Sequence, residues 1–134
     1  MKSILIVEDD VNLGELVKFR LQQNDYSVIV VTDGMQMFEQ LRQTKPDLII
    51  LDVMLPKIDG FKLCGLLKNY DPYKEIPIIM FTARSGEESR LMAKETGCDA
   101  YITKPFDNKI LLDKIAELLK RSEITDVPAP PAAD

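Results

Sequence analysis

Residues 48–60 read Leu-Ile-Ile-Leu-Asp-Val-Met-Leu-Pro-Lys-Ile-Asp-Gly, an unbroken apolar run that stops at an acid, Asp52, and then enters a turn. A run of Ile and Leu without polar alternation is typical of a strand that is covered on both faces of a parallel sheet. Similar runs occupy residues 4–7, 28–31, 76–81 and 100–102. The chain therefore contains five candidate strands, which are predicted to be covered on both faces.

Helical patterns alternate with these five runs. The apolar stripes comprise Leu13, Leu16, Val17 and Leu21, then Met37, Phe38 and Leu41, then Phe61, Cys64 and Leu67, and finally Leu111, Ile115, Leu118 and Leu119. The interval 87–96 has few apolar residues, so its helix is expected to be loosely held. Strand and helix alternating five times predict an α/β fold, a doubly wound parallel sheet with helices on both faces.

Composition predicts one domain. The 134 residues, 46% of them hydrophobic, suffice for one core, which we assign to residues 1–121. Residues 122–134 end in a stretch rich in proline and alanine and are predicted to be a flexible tail or the start of a linker. The net charge of -5 argues against direct binding of nucleic acid by this domain.

Several classes of chemistry are excluded by residue type. The chain has no histidine, so imidazole-activated nucleophiles and histidine metal sites are ruled out within it. Cys64 and Cys98 form neither a disulfide framework nor a zinc motif. No apolar run approaches the roughly 20 residues of a membrane helix or the core of a signal peptide. We therefore expect a cytoplasmic protein without a membrane segment.

Polar side chains stand where the apolar runs stop. Glu8 and Asp9 follow the first run, Asp52 the third, Thr82 the fourth, and Lys104 comes shortly after the fifth. Because ligand sites of open parallel sheets lie at the carboxyl ends of the strands, these side chains are expected to meet. Three crowded carboxylates raise one another's pKa unless a cation neutralises them, and Mg²⁺ is the natural occupant.

Each member of this group suits one part of a phosphoryl transfer. Asp52 is the best nucleophile, because carboxylates form aspartyl phosphate when a cation screens the approaching anion. The backbone carbonyl of Met54 could complete the metal shell. Lys104 and Thr82 could bind phosphoryl oxygens, and Tyr101 could adopt an inward or an outward position. Any one of these residues alone is more often a cap, a surface charge or an ordinary strand residue.

Taken together, these motifs resemble the receiver domain of two-component response regulators. The resemblance covers residues 3–121 and rests on Glu8-Asp9, the segment 51–60, Thr82-Ala83 and the segment 101–106. It implies a flavodoxin-like fold with strand order 2-1-3-4-5. It also implies a signalling phosphoacceptor that catalyses only its own phosphoryl transfer and autodephosphorylation, rather than a turnover enzyme.

The resemblance further implies a role for each site residue. Asp52 is phosphorylated, while Asp9, Asp52 and the Met54 carbonyl bind Mg²⁺ directly and Glu8 helps through water. Thr82 moves toward the phosphoryl group and Tyr101 turns inward. These two movements remodel the face made by the fourth helix, the fifth strand and the fifth helix.

The implied partners lie outside the chain. The phosphoryl donor is a sensor histidine kinase or a histidine phosphotransfer protein, and the target is an effector protein or an output domain. A phosphorylation-dependent homodimer is a further option. Ala100 and Ile110, however, stand where dimerising transcription factors of the family carry acids.

Three other classes compete with this interpretation. A phosphatase of the haloacid dehalogenase type needs a second acid two residues after its nucleophile, where this chain has Met54. A flavin carrier of the same fold needs a loop rich in Ser, Thr and Gly after the first strand, where this chain has acids. A purely structural domain has no need of a charged cluster that costs stability.

Overall fold

The computed structural model of the chain describes residues 1–55, 57–83 and 87–126. Five strands and five helices alternate along these residues. The strands are β1 (Ser3–Val7), β2 (Ser27–Val31), β3 (Leu48–Asp52), β4 (Ile78–Thr82) and β5 (Ala100–Thr103). The helices are α1 (Val11–Gln22), α2 (Gly34–Gln43), α3 (Gly60–Lys68), α4 (Glu87–Glu95) and α5 (Asn108–Asp126).

The strands form one parallel sheet in the order β2-β1-β3-β4-β5. The run before Asp52 lies at the centre of the sheet, where β3 pairs with β1 on one side and β4 on the other. The predicted doubly wound α/β fold and its strand order are therefore confirmed.

Successive strand residues point to opposite faces, and each face carries its own core. Leu5 and Met80 belong to the core that contains Met37 of α2, Leu63 of α3 and Ala93 of α4. The second core joins strand residues to two other helices. Its members include Ile6, Phe81, Val17 of α1 and Leu118 of α5. Burial on both faces explains why the strands read as continuous apolar runs.

The prediction for the first helix was wrong at one position. Leu16 was placed on the apolar stripe but is 45% exposed, whereas Gly14, Val17 and Leu21 are buried. Residues three, four and seven apart share a helix face, and these three satisfy that spacing. The other three stripes are buried except for Phe38, which is partly buried against the core.

Element ends differ by a few residues from the prediction. Strand β4 begins at Ile78 rather than at Ile76. Pro77, just before it, has no backbone N–H to give to the ladder. Helix α5 continues to Asp126 and so includes residues assigned to the tail. Because residues 127–134 lie outside the described part of the chain, the division at residue 121 stays a prediction.

Helix α4 forms as predicted, but few of its described side chains anchor it. Ala93 is buried in the core, while Leu91 and Met92 are exposed. In the described part of the chain, no helix combines the length and apolarity that crossing a membrane requires.

Candidate functional site

The predicted site residues meet at the carboxyl edge of the sheet. Glu8 and Asp9 directly follow β1, Asp52 and Thr82 end β3 and β4, and Lys104 directly follows β5. Among the described residues, the buried polar or charged ones are Glu8, Asp52 and Thr82. Burying polar groups is costly, so their concentration at one edge marks this edge as a functional site.

Three carboxylates form a cluster at this edge. Glu8, Asp9 and Asp52 each place a carboxylate oxygen within 4.8 Å of the others. Glu8 and Asp52 are buried, whereas Asp9 is exposed and leaves the cluster open to solvent. A donor set of oxygens alone is what a hard divalent cation takes, so the cluster could hold a metal ion.

Lys104 supplies the opposite charge. Its Nζ lies 2.7 Å from Oε1 of Glu8 and 3.6 Å from Oδ2 of Asp52. The backbone amide of Lys104 donates to the carbonyl of Thr82 at 2.7 Å, which extends the pairing of β4 and β5 by one bond. The ammonium is thereby held between two acids on neighbouring strands.

The buried surroundings of Glu8 oppose its ionisation. Burial raises the pKa of Glu8 to about 7, against the lowering effect of the Lys104 hydrogen bond and of the Asp10 amide. That amide donates to Oε2 of Glu8 at 3.0 Å, and neighbouring Asp52 raises the pKa further. The Lys104 ammonium faces a cluster of three carboxylates. A divalent cation would fit both the oxygen donors and the excess of negative charge.

The turn after β3 holds the acid in place. Oδ1 of Asp52 accepts a hydrogen bond from the Met54 amide at 3.1 Å. A side chain on Gly60 would overlap the carbonyl oxygen of Asp52, so only glycine lets α3 start this close to the strand end. Asp59 caps that helix by accepting from the Phe61 amide at 2.7 Å. In this Asp-Gly pair, the aspartate therefore caps α3 and the glycine allows the helix to pack against Asp52.

Helix α1 begins next to the same site. Asp10 is its N-cap and accepts a hydrogen bond from the Leu13 amide at 3.1 Å. Aspartate is among the residues preferred at this position, because its carboxylate accepts from an amide of the first turn that has no partner within the helix. The cap fixes the turn that carries Glu8 and Asp9.

Thr82 and Tyr101 occupy different surroundings. Thr82 is fully buried at the end of β4, one strand away from Asp52. Tyr101 is partly buried and packs against the core that contains α2, α3 and α4. The movement of Thr82 toward a phosphoryl group and the inward turn of Tyr101 stay predictions.

Two aromatic residues were not predicted to take part in the site. Nζ of Lys104 lies 5.1 Å from the ring centroid of Phe81. That ring packs edge-to-face on Phe106, with centroids 4.6 Å apart. The sequence places Phe81 only as an apolar strand residue. Its proximity to Lys104 depends on strand order and register, which a local pattern does not contain.

A cavity of about 490 Å³ lies beside the acid cluster. Asp9, Met54, Lys57 and Asp59 are among the residues that line it. Sequence reasoning assigned no contact to Lys57, which takes a left-handed backbone conformation with φ of 71°. The cavity gives a ligand a path to the exposed side of the cluster.

Fold and site together define a flavodoxin-like α/β domain with a cluster of carboxylates, including a buried aspartate, beside a lysine. The chain belongs to the response regulator receiver domain family, whose model matches residues 4–116. Membership decides against the haloacid dehalogenase phosphatase, the flavin carrier and the purely structural domain.

The curated relatives are transcriptional regulators. The chain is 38% identical over 123 residues to the alkaline phosphatase synthesis transcriptional regulatory protein PhoP of Bacillus subtilis, covering 92% of this chain and 50% of that protein. It is 41% identical over 120 residues to the phosphate regulon transcriptional regulatory protein PhoB of Escherichia coli, covering 90% of this chain and 52% of that protein. The chain thus spans about half the length of these relatives.

Solved structures show the same fold. A signal receiver domain of a signal transduction histidine kinase from Syntrophus aciditrophicus has a TM-score of 0.86 at 34% identity, with all of both chains covered. The receiver domain DrrB, solved in a BeF3-activated form, has a TM-score of 0.82 at 34% identity and covers 90% of this chain and 99% of that one.

Proposed function

We propose that this receiver domain is a switch that accepts a phosphoryl group on Asp52. The observation that supports this most directly is a buried carboxylate with a lysine ammonium 3.6 Å away and an acid cluster around it. Asp52 is 3% exposed and ends the central strand, so its position is set by the sheet itself. A preorganised carboxylate among fixed charges is what attack on phosphorus requires.

The transfer has a simple balance of bonds. A carboxylate oxygen of Asp52 attacks the phosphorus of a phosphohistidine and forms a P–O bond. The P–N bond breaks, and its electron pair leaves with the imidazole nitrogen, which takes up a proton. The donor histidine comes from a partner because this chain contains none.

We assign the cation site to Mg²⁺, held by Asp9, Asp52 and the Met54 carbonyl, with Glu8 contributing through water. The oxygen donors and the excess of carboxylates over the Lys104 ammonium support this assignment. When bound, such an ion neutralises the acids and stabilises charge on the transferring phosphoryl oxygens.

Lys104 and Thr82 are proposed to sense the product. The Lys104 ammonium, already between Glu8 and Asp52, would pair with a phosphoryl oxygen, and the Thr82 hydroxyl would donate to another. Tyr101 would then turn inward and alter the face made by α4, β5 and α5. Such a coupling is a local charge event acting on a two-state element.

The partners follow from the chemistry and the relatives. We propose a sensor histidine kinase or a histidine phosphotransfer protein as donor, and an effector protein or an output domain as target. The relatives are named as transcriptional regulators, so an output that controls transcription fits, with DNA contacts made outside this domain. A phosphorylation-dependent homodimer through the α4, β5 and α5 face is a further proposal.

Mass spectrometry after incubation with acetyl phosphate and Mg²⁺ tests the phosphoacceptor. The wild type is expected to gain one phosphoryl group, and Asp52→Asn to gain none because the amide is not a nucleophile. Asp113→Asn, which alters an exposed acid of α5, is the matched control and should be labelled like the wild type. Labelling of Asp52→Asn at the wild-type level would contradict the proposal.

A further inference from the structure

We infer that Phe81, braced by Phe106, is a positioning residue that holds the Lys104 ammonium in place beside Asp52. The inference rests on the proposed function, since it concerns how Lys104 is presented to a phosphoryl group. The Phe81 ring carries no group that could bind a metal ion or a phosphoryl oxygen, so its proposed effect is exerted through the lysine.

The sheet places the ring where the lysine side chain must pass. Asp52 of β3 is in register with Phe81 of β4, and Phe81 is in register with Ile102 of β5. Lys104 follows Ile102 by two residues, so its side chain must cross β4 to reach Asp52 and then Glu8. Phe81 lies at the crossing point, and the measured contact of 5.1 Å between Nζ and the ring centroid agrees with this path.

The contact has the physical character of a cation–π interaction. The face of an aromatic ring is electronegative and attracts an ammonium that lies within about 6 Å of its centroid. Phe81 is 2% exposed and the Lys104 side chain 20% exposed, so water screens the attraction only in part. The two acids attract the ammonium from one side, and the ring supplies a third point of contact. With three contacts the position of the ammonium is fixed. With the two acids alone it could shift toward whichever carboxylate is nearer.

Phe106 keeps the ring in that orientation. The two rings meet at an angle of 68° with centroids 4.6 Å apart, which is the edge-to-face geometry that aromatic pairs prefer. Phe106 is two residues after Lys104, so one loop carries both the ammonium and the residue that braces its support. The lysine and the Phe81 ring are therefore positioned together.

The test compares two substitutions in adjacent residues of β4. Phe81→Leu removes the ring face but keeps an apolar side chain. Met80→Leu is the matched control, because Met80 is fully buried in the opposite core, away from Lys104. Calorimetric titration with beryllofluoride, in the presence of saturating Mg²⁺, measures binding of a phosphoryl mimic, and titration with Mg²⁺ alone measures the cation site.

We expect Phe81→Leu to weaken beryllofluoride binding roughly 2- to 30-fold, the factor that corresponds to loss of one cation–π contact. Affinity for Mg²⁺ alone should stay close to that of the wild type, and Met80→Leu should match the wild type in both titrations. Equal beryllofluoride affinity of Phe81→Leu and Met80→Leu would overturn the inference, as would an equal loss of Mg²⁺ affinity.

A nuclear magnetic resonance measurement on the wild type does not depend on how well Phe81→Leu folds. The ring face should shift the protons on the Lys104 carbon next to Nζ upfield from their ordinary position. Phe106→Leu should reduce that displacement because Phe81 loses its brace. Ordinary proton shifts at Lys104 in the wild type would overturn the inference. A wild type that shows the displaced protons but binds no beryllofluoride would instead contradict the proposed function.

Discussion

At the scale of single residues, Lys57 has a backbone conformation that its side chain disfavours. Its φ is 71°, in the left-handed region where a Cβ atom crowds the backbone. It lies in the turn between Asp52 and the Asp59–Gly60 pair, along the cavity beside the acid cluster. The turn that shapes the site therefore carries local strain.

Lys57→Gly should raise the free energy of unfolding by about 0.5 to 1 kcal/mol, because glycine tolerates this conformation. The matched control is Lys62→Gly, at an exposed position inside α3, which should lower it by about 1 kcal/mol. Urea denaturation of the three proteins measures both changes. A loss of stability in Lys57→Gly similar to that in Lys62→Gly would show that the turn is unstrained.

The raised pKa of the Cys98 thiol predicts that the protein loses stability at alkaline pH. Burial raises its pKa from 9.0 to about 11, with Cys64 and Asp99 raising it further and Thr96 and Lys68 lowering it. Between these two values the folded chain keeps the thiol proton while the unfolded chain releases it. The unfolded state then binds fewer protons, so the free energy of unfolding falls as pH rises from about 9 to about 11.

Cys98→Ala should make this alkaline fall shallower, because the substitution removes the titrating thiol. Urea denaturation of wild type and variant at pH 8, 9 and 10 measures the difference. All other ionisable groups are common to both proteins, so the difference between the two curves measures the contribution of Cys98. Parallel curves would contradict the prediction.

At the scale of elements, one ion pair joins several segments at the amino edge of the sheet. Nζ of Lys68, at the end of α3, lies 2.6 Å from Oδ2 of Asp99 and 2.7 Å from the carbonyl oxygen of Ile76. The same Asp99 oxygen accepts from the Ile78 amide at 2.8 Å. The pair therefore connects α3 with the chain entering β4 and β5.

Lys68→Ala should lower the free energy of unfolding by about 2 to 4 kcal/mol, since it leaves Asp99 and a backbone carbonyl without this partner. The Lys68 and Asp99 side chains are only 13% and 23% exposed. Lys109→Ala, which breaks the exposed pair with Asp113 at 2.7 Å, is the control and should change stability very little. If urea denaturation showed equal changes in the free energy of unfolding for the two substitutions, the proposed connecting role of Lys68 would be contradicted.

At the scale of the whole molecule, the two faces of the sheet hold their helices unequally. Helix α5 buries Leu111, Ile115, Leu118 and Leu119, whereas the buried member of α4 among its described side chains is Ala93. Local opening is easiest where few apolar contacts hold an element. Helix α4 is part of the proposed output face, so its weak anchoring predicts an element that opens easily at the place where a switch needs one.

Amide hydrogen exchange of the unphosphorylated protein should therefore be faster in α4 than in α5. The difference is expected to exceed tenfold at residues in the middle of each helix, because each lost apolar contact removes about 1 kcal/mol or more from the opening free energy. Helix α3, which buries five of its residues, is the internal control and should exchange as slowly as α5. Equal protection of α4 and α5 would exclude this form of switch.

Local sequence patterns predicted the order of strands and helices and the set of acids, hydroxyl and lysine at the strand ends. These features can be read from the sequence because they depend on residues close together in the chain. Each apolar run marks a strand, and the polar residue that follows it marks the strand's end. The family resemblance supplied the strand order and the proposed role of each site residue. The structure confirmed that order and brought the residues together.

The packing around that site became visible only in the folded structure. The exposure of Leu16 follows from the direction in which α1 packs, and the need for glycine at position 60 follows from the approach of α3 to Asp52. The contact of Lys104 with Phe81 arises because β4 lies between β5 and β3 in register. Such contacts join residues far apart in the chain, and their geometry depends on how separate elements pack, which no local pattern records.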